Sequence, residues 1–183
     1  VCSVHPSVSR QLRGDPGRLR QILSNLLGNA VKFTQSGYIL LRVLPLPSAD
    51  AEPLHNVLFE VEDTGIGVPQ AHQHRLFQAF SQADSSTTRK FGGTGLGLSI
   101  VQSLAQIMGG SVSFQSEEAK GSVFRVTLPL AVQPGTTAPG PPTEPAFGQR
   151  VLVLSNTEPA RVLLSEWVDR WGGRCTLTRT CQE

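Results

Sequence analysis

Residues 18–33 read Arg18-Leu-Arg-Gln-Ile-Leu-Ser-Asn25-Leu-Leu-Gly28-Asn29-Ala-Val-Lys32-Phe33. Asp15-Pro16-Gly17 precedes them, an N-cap followed by proline in the first turn, so the segment predicts a helix from Arg18 to Phe33. At about 100° per residue, Arg18, Gln21, Asn25, Gly28, Asn29 and Lys32 share one stripe. Leu19, Ile22, Leu23, Leu26, Leu27, Ala30 and Val31 cover the opposite side and are the expected core contact. Two asparagines and a glycine are poor helix-interior residues, and Gly28 alone costs about 1 kcal/mol against alanine. Amide oxygens at i and i+4 facing a metal or phosphate, Lys32 adding charge and Gly28 leaving room for a ligand, would account for that stripe. A plain solvated face is the alternative, though it more often carries Glu and Lys.

Working outward, Gln35-Ser36-Gly37 is a turn, Tyr38 to Leu44 a strand and Pro45 to Pro53 a loop. Val57 to Glu62 is a second strand, with Val57, Phe59 and Val61 in register. It runs into Glu62-Asp63-Thr64-Gly65-Ile66-Gly67-Val68-Pro69. An acid and two glycines at a strand end are common turn chemistry and weak evidence alone. The carboxylate can nevertheless accept from an exocyclic amine while the glycines let a flat ring lie on backbone. Leu76 to Phe80 is a short apolar element, and Ser81 to Gly93 is polar. Gly93-Thr94-Gly95-Leu96-Gly97-Leu98 then opens a helix from Leu96 to Met108, stopped by Gly109-Gly110. Glycines at a helix start suit a hinge or a phosphate loop. Their spacing is neither a dinucleotide fingerprint nor a P-loop. Ser111 to Gln115 and Val123 to Pro129 form a hairpin, and Val1 to Val4 is a possible first strand. The fold class expected is α/β: a mixed sheet of about five strands with about three helices on one face.

Three constellations in this order and spacing resemble the catalytic ATP-binding domain of sensor histidine kinases. The N box is Asn25-Leu-Leu-Gly-Asn29-Ala-Val-Lys32-Phe33, the G1 box Asp63-Thr-Gly65-Ile-Gly67 and the G2 box Gly93-Thr-Gly95-Leu-Gly97-Leu98. Leu76-Phe77-Gln-Ala-Phe80-Ser-Gln82-Ala-Asp84 completes the set as the F box. The resemblance covers about residues 1–130 and implies the two-layer α/β sandwich of the Bergerat fold, with ATP and Mg²⁺ bound. It implies that Asp63 reads adenine, Asn29 ligates Mg²⁺, Asn25 and Lys32 support the phosphates, and Phe33 lines the nucleoside pocket. Gly65 and Gly67 would flank the base, and Ser122 would stand beside it. Gly93, Thr94, Gly95, Leu96, Gly97 and Leu98 would lie along the triphosphate. Ser81 to Gly92 would be the lid, with Arg89 as its phosphate-facing cation. Asn25, Lys32 and Arg89 are thus the expected catalytic set. Phe77 and Phe80 read equally as lid-anchoring core residues or as contacts to the partner domain.

Related ATPases carry a Glu four residues before the metal-binding Asn, as the base that activates water. Asn25 holds that place here and takes no proton at neutral pH, so transfer to an outside nucleophile is favoured over hydrolysis. In the family that nucleophile is a histidine on a dimerisation domain. His5, His55, His72 and His74 lack the acid that follows it, and read as surface loop or helix residues. The expected partners are therefore a histidine-containing dimerisation domain of the same protein, which would be a homodimer, and a downstream receiver. A non-kinase ATPase of the same superfamily, or a nucleotide-binding interaction module, is the alternative.

Residues 131–149 hold five of the 13 prolines and read as an extended linker. Beyond it, Arg150 to Leu154, Pro159 to Trp171 and Arg174 to Leu177 predict strand, helix and strand. Residues 150–183 resemble the opening of a receiver domain, yet Ser155 and Asn156 stand where receivers place a metal-binding acidic pair. So short a piece is expected to dock on the ATP domain or on another copy. The 183 residues are 39% apolar and 16% charged, which excludes a coiled coil, collagen and a wholly disordered chain. A net charge of +2 with 6% aromatics gives no basic, aromatic-laced face for nucleic acid. No apolar run suits a membrane span or signal peptide, and Cys2, Cys175 and Cys181 form no CxxC pair, so a cytoplasmic setting is expected, with no membrane contact by this stretch and a membrane anchor elsewhere in the full-length protein left open. Without an initial Met, the chain reads as cut from something longer.

Overall fold

The computed structural model describes residues 1–9, 11–46, 54–80, 95–132, 149–170 and 172–179. The chain divides into two units, Cys2–Pro134 and Gly135–Glu183.

In the first unit the elements run β1 (Cys2–Val4), β2 (Leu12–Arg13), α1 (Pro16–Phe33), β3 (Ile39–Pro45), β4 (Leu54–Asp63), α2 (Gln70–Gln73), α3 (Gly97–Ile107), β5 (Ser111–Glu117) and β6 (Gly121–Val132). The sheet runs β1-β3-β4-β6-β2, with β5 also paired to β6. β1 lies parallel to β3, and the other pairs are antiparallel. Among the described residues the mixed sheet therefore has six strands; the addition to the expected five is β2, two residues that show no alternation. Phe59 faces Val126 and Val61 faces Phe124 across β4 and β6, so period-2 patterning puts one apolar face under the helices.

Helix α1 starts as predicted. Asp15 Oδ1 accepts from Arg18 N at 3.0 Å, and Pro16 opens the first turn, where a missing N–H costs nothing. Ile22, Leu26 and Ala30 are buried, and Leu19, Leu23 and Leu27 pack against them. Val31 departs from the predicted stripe at 67% exposed. It lies at the edge of the wheel, and the core extends from Ala30 toward the other side. α3 contacts α1, β5 and β6 and buries Val101 and Ala105 completely. Gly109 ends it with a left-handed φ of +76°, and Gly110 N donates to Ala105 O at 2.8 Å.

Two further readings are corrected. Leu76 to Phe80 forms turns rather than a regular element. Phe80 takes a φ of +61° there and is 78% exposed. His55 is exposed but sits on β4, because that strand begins earlier than its apolar alternation shows. The lid with Arg89, the positions Gly93 and Thr94, and nearly all of the proline-rich linker lie outside the described residues.

The second unit is strand, helix, strand: β7 (Arg150–Leu154), α4 (Glu158–Arg170) and β8 (Arg174–Thr178), with β7 parallel to β8. Val153, Val168 and the Arg161 side chain are buried, while Leu152, Leu154 and Leu177 are exposed.

Two substitutions on α1 should move stability in opposite directions. Leu26→Ala removes a side chain that is 1% exposed and should cost about 2–5 kcal/mol. A methyl group on Gly28 meets none of the described residues within 4 Å, so Gly28→Ala should stabilise the ligand-free chain by about 1 kcal/mol. Urea unfolding of both variants checks the pair.

Candidate functional site

Those predicted residues that are described assemble in two clusters joined through the end of α1. In the first, α3 begins against the asparagine face of α1. A methyl group on Gly97 would stand 3.8 Å from Asn29 Nδ2 and 3.9 Å from Asn25 Oδ1. Such a methyl would make ordinary van der Waals contact with both amides, so the start of α3 lies directly against the asparagine face. Asn25 Nδ2 is buried and has no hydrogen-bond acceptor among the described residues, which is costly unless a ligand supplies one. Gly95 takes a φ of +70° on the approach. Leu96 O accepts from Ile100 N at 3.0 Å and from Ser99 Oγ at 2.9 Å. Leu98, expected along a triphosphate, packs partly buried against the core.

The join is the carbonyl of Phe33, which accepts from Ile66 N at 3.2 Å. Lys32 Nζ lies 4.9 Å from the centroid of the Phe33 ring, placing the charge expected of Lys32 at this join. A methyl group on Gly65 would lie 2.5 Å from the Phe33 oxygen, so only glycine lets the loop after β4 reach the helix end.

The second cluster centres on Asp63, which is 6% exposed. Its Oδ1 accepts from Gly65 N at 2.9 Å, and the backbone of Ser122 lies near enough to favour the ionised carboxylate. Asp63 and Ser122 face each other across β4 and β6. Burial pushes the Asp63 carboxyl above its ordinary range; the N–H of Gly65 and the backbone of Ser122 oppose that rise, and the charge of Glu62 adds to it. Gly67, at φ +65°, leaves no space for a side chain beside Glu117 O. Gly121, at φ +109°, is pressed against Asp63 O in the same way. An open recess of about 470 Å³ borders the cluster, with Tyr38, Asp63, Thr64, Ser116, Lys120 and Ser122 in its wall.

Two residues not singled out by the sequence belong to this cluster. Ser116 Oγ bonds Val68 N at 2.8 Å, Gly121 O at 3.0 Å and Ser122 Oγ at 3.0 Å. Gln73 Nε2 donates to Val68 O at 3.0 Å and Ser116 O at 2.9 Å. The alternation of Ser-Val-Ser-Phe-Gln-Ser-Glu along β5 puts Ser116 on the Phe114 face, but no spacing links Gln73 to it.

The titration of Asp63 has a definite sign. Its raised native pKa means that the protonated form favours folding below the ordinary carboxylate value of about 3.9, and that this stabilisation is lost as pH rises toward the native value. Asp63→Asn should flatten the fall in stability across that window. Urea midpoints of the ligand-free chain from about pH 4 to about pH 7 read the slope.

The profile of the family described as "Histidine kinase-, DNA gyrase B-, and HSP90-like ATPase" matches residues 14–132. The sensory/regulatory protein RpfC of Xanthomonas campestris pv. campestris is 51% identical over 121 residues, covering 66% of this chain and 16% of that protein. Sensor histidine kinase GacS of Pseudomonas protegens is 40% identical over 184 aligned positions, 100% of this chain and 20% of GacS. The chain thus spans between a sixth and a fifth of these relatives. The crystal structure of full-length ShkA in complex with AMPPNP superposes with a TM-score of 0.75 at 33% identity, over 99% of this chain and 36% of ShkA. No helix among the described residues is long and apolar enough to cross a membrane. With the asparagine helix, the acid strand and the glycine loops all inside the matched region, the chain belongs to the histidine kinase-, DNA gyrase B- and HSP90-like ATPase family, and sensor histidine kinases are among its relatives.

Proposed function

We propose that residues 1–130 bind Mg-ATP and present its γ-phosphate to a histidine on a dimerisation domain of the same protein, in two-component signalling. The observation that carries this reading is the buried Asn25 Nδ2, without an acceptor among the described residues and beside Asn29 and Gly97. The donor set fits the group: a phosphate oxygen would satisfy that amide, and the Asn29 carbonyl oxygen suits a hard cation. Bound Mg-ATP supplies the transferable phosphoryl group and the metal charge that offsets its oxygens.

The chain's own residues then bind and orient. Asp63 accepts from the exocyclic amine of the base, with Ser122 beside it, while Gly65 and Gly67 keep side chains off the ring. Lys32 and Asn25 donate to phosphate oxygens, and Phe33 shields the nucleoside. Gly93, Thr94, Gly95, Leu96, Gly97 and Leu98 shape the path of the triphosphate, with Leu98 acting from its place in the core, and Arg89 adds lid charge. Asn25 holds no proton-accepting group, so these residues position a phosphoryl group without activating water.

Residues 150–183 are proposed as a receiver-like module after a linker at 131–149. Arg161 Nη1 donates to Ser155 O at 2.6 Å, which puts a buried cation beside the residues that replace the metal-binding acids. In the whole protein, which would work as a homodimer, a downstream receiver would take the phosphate.

A fluorescent ATP analogue titrated with Mg²⁺ tests the assignment. Asp63→Ala should weaken binding at least about tenfold, or about 1.4 kcal/mol, and the wild-type chain should turn ATP over slowly. Undiminished binding by Asp63→Ala would refute the site, and rapid turnover would favour a hydrolysing ATPase.

A further inference from the structure

We propose that Ser116 is a specificity-determining residue: it fixes the direction of the Ser122 hydroxyl proton and so selects a 6-amino purine over a 6-oxo purine. The inference rests on the reading of Asp63 and Ser122 as the base-recognition pair. It follows from proton counting at one oxygen.

Among the described residues Ser116 Oγ has three hydrogen-bonding neighbours: Val68 N at 2.8 Å, Gly121 O at 3.0 Å and Ser122 Oγ at 3.0 Å. A backbone N–H can only donate and a carbonyl can only accept, while a hydroxyl has one proton and two lone pairs. Ser116 therefore spends its proton on Gly121 O and one lone pair on Val68 N–H. Its remaining lone pair takes the proton of Ser122. Ser122 is 7% exposed, so little water competes for that proton. Ser122 Oγ is left with lone pairs alone.

Asp63, opposite Ser122 in the strand register, is also an acceptor when ionised. Two neighbouring acceptors match an exocyclic NH₂, which has two protons to give. They oppose a ring carbonyl, which would set its lone pairs against theirs and leave buried acceptors unpaired. Gln73 keeps the arrangement in place, since its Nε2 ties Val68 O to Ser116 O. The selecting proton is thus set one residue away from the base, by a side chain that need not touch it.

The test is the ratio of ATP to GTP affinity, measured by competition against a fluorescent ATP analogue on the 183-residue chain. Wild type should prefer ATP. Ser116→Ala releases the Ser122 hydroxyl to turn its proton toward the base and should narrow the preference by about tenfold. Ser116→Thr keeps the hydroxyl and should restore it. In a Ser122→Ala background, Ser116→Ala should leave the ratio unchanged, because the group it acts through is gone. A Ser116→Ala protein that weakens ATP and GTP equally, or a ratio change that persists without the Ser122 hydroxyl, overturns the proposal. Should Ser116→Ala fail to fold, Ser122→Ala alone decides: an undiminished preference for ATP overturns it as well. A wild-type chain that binds no nucleotide refutes the site reading itself, whereas one that prefers ATP with a neutral Ser116→Ala refutes this inference alone.

Discussion

The hydrogen bond from Ile66 N to Phe33 O is the constraint on which the arrangement of the first unit depends. It fastens the last turn of α1, where carbonyls lack partners inside the helix, to the loop leaving β4. The asparagine face and the buried acid come from elements far apart in sequence, and this bond fixes their relative position. It forms only because Gly65 brings backbone to within reach of the helix end. Gly67 and Gly121 do the same for the other side of the loop, against Glu117 O and Asp63 O. The glycines are required by close approach of backbone, and the conformational freedom they add to the unfolded chain is offset by the contacts they permit.

The opposite face of the sheet supports the same residues by different means. Arg42 bonds Glu60 at 2.5 Å and Glu62 at 2.6 Å, Arg125 bonds Glu60 at 2.6 Å, and Tyr38 Oη donates to Glu62 at 2.7 Å. Burial works against the charge on Arg42, but its hydrogen bonds and ion pairs to Glu60 and Glu62 outweigh it and raise its pKa. Partly buried ion pairs add little net stability, because desolvation consumes most of the attraction. Their contribution here is register. A one-residue slip of β4 would carry Glu60 and Glu62 to the apolar face and Asp63 away from Ser122. The charges behind the sheet thus hold the acid in front of it.

Much of this was legible from the chain. Asp15-Pro16 marked the start of α1, the spacing of Asn25, Asn29 and Lys32 marked its special face, and the strand alternation marked which side of β4 is buried. What escaped notice had no local pattern to betray it. Leu12–Arg13 is a strand only because β6 runs long enough to pair with it. Val31 looked apolar and inward, but tertiary packing chose where the core stripe ended. Ser116 and Gln73 look like ordinary polar residues until folding brings Val68, Gly121 and Ser122 around one hydroxyl. Leu98 sits inside a glycine motif but answers to the hydrophobic core.

The composition of α1 makes sense only as a compromise between these demands. An 18-residue helix that carries Asn25, Gly28 and Asn29 in its interior gives up propensity at three positions. Packing does not call for Gly28, since a methyl group there would meet none of the described residues nearby. Nor does hydrogen bonding call for Asn25, whose amide nitrogen is buried without an acceptor among the described residues. The Asp15 cap and the burial of Ile22, Leu26 and Ala30 hold the helix together despite them. Residues that weaken a helix and line one stripe, one of them with a buried amide that finds no acceptor among the described residues, are explained by something outside the chain that meets that stripe. An anionic ligand with many acceptor oxygens would satisfy the Asn25 amide, use the charge of Lys32 and occupy the space that Gly28 leaves open.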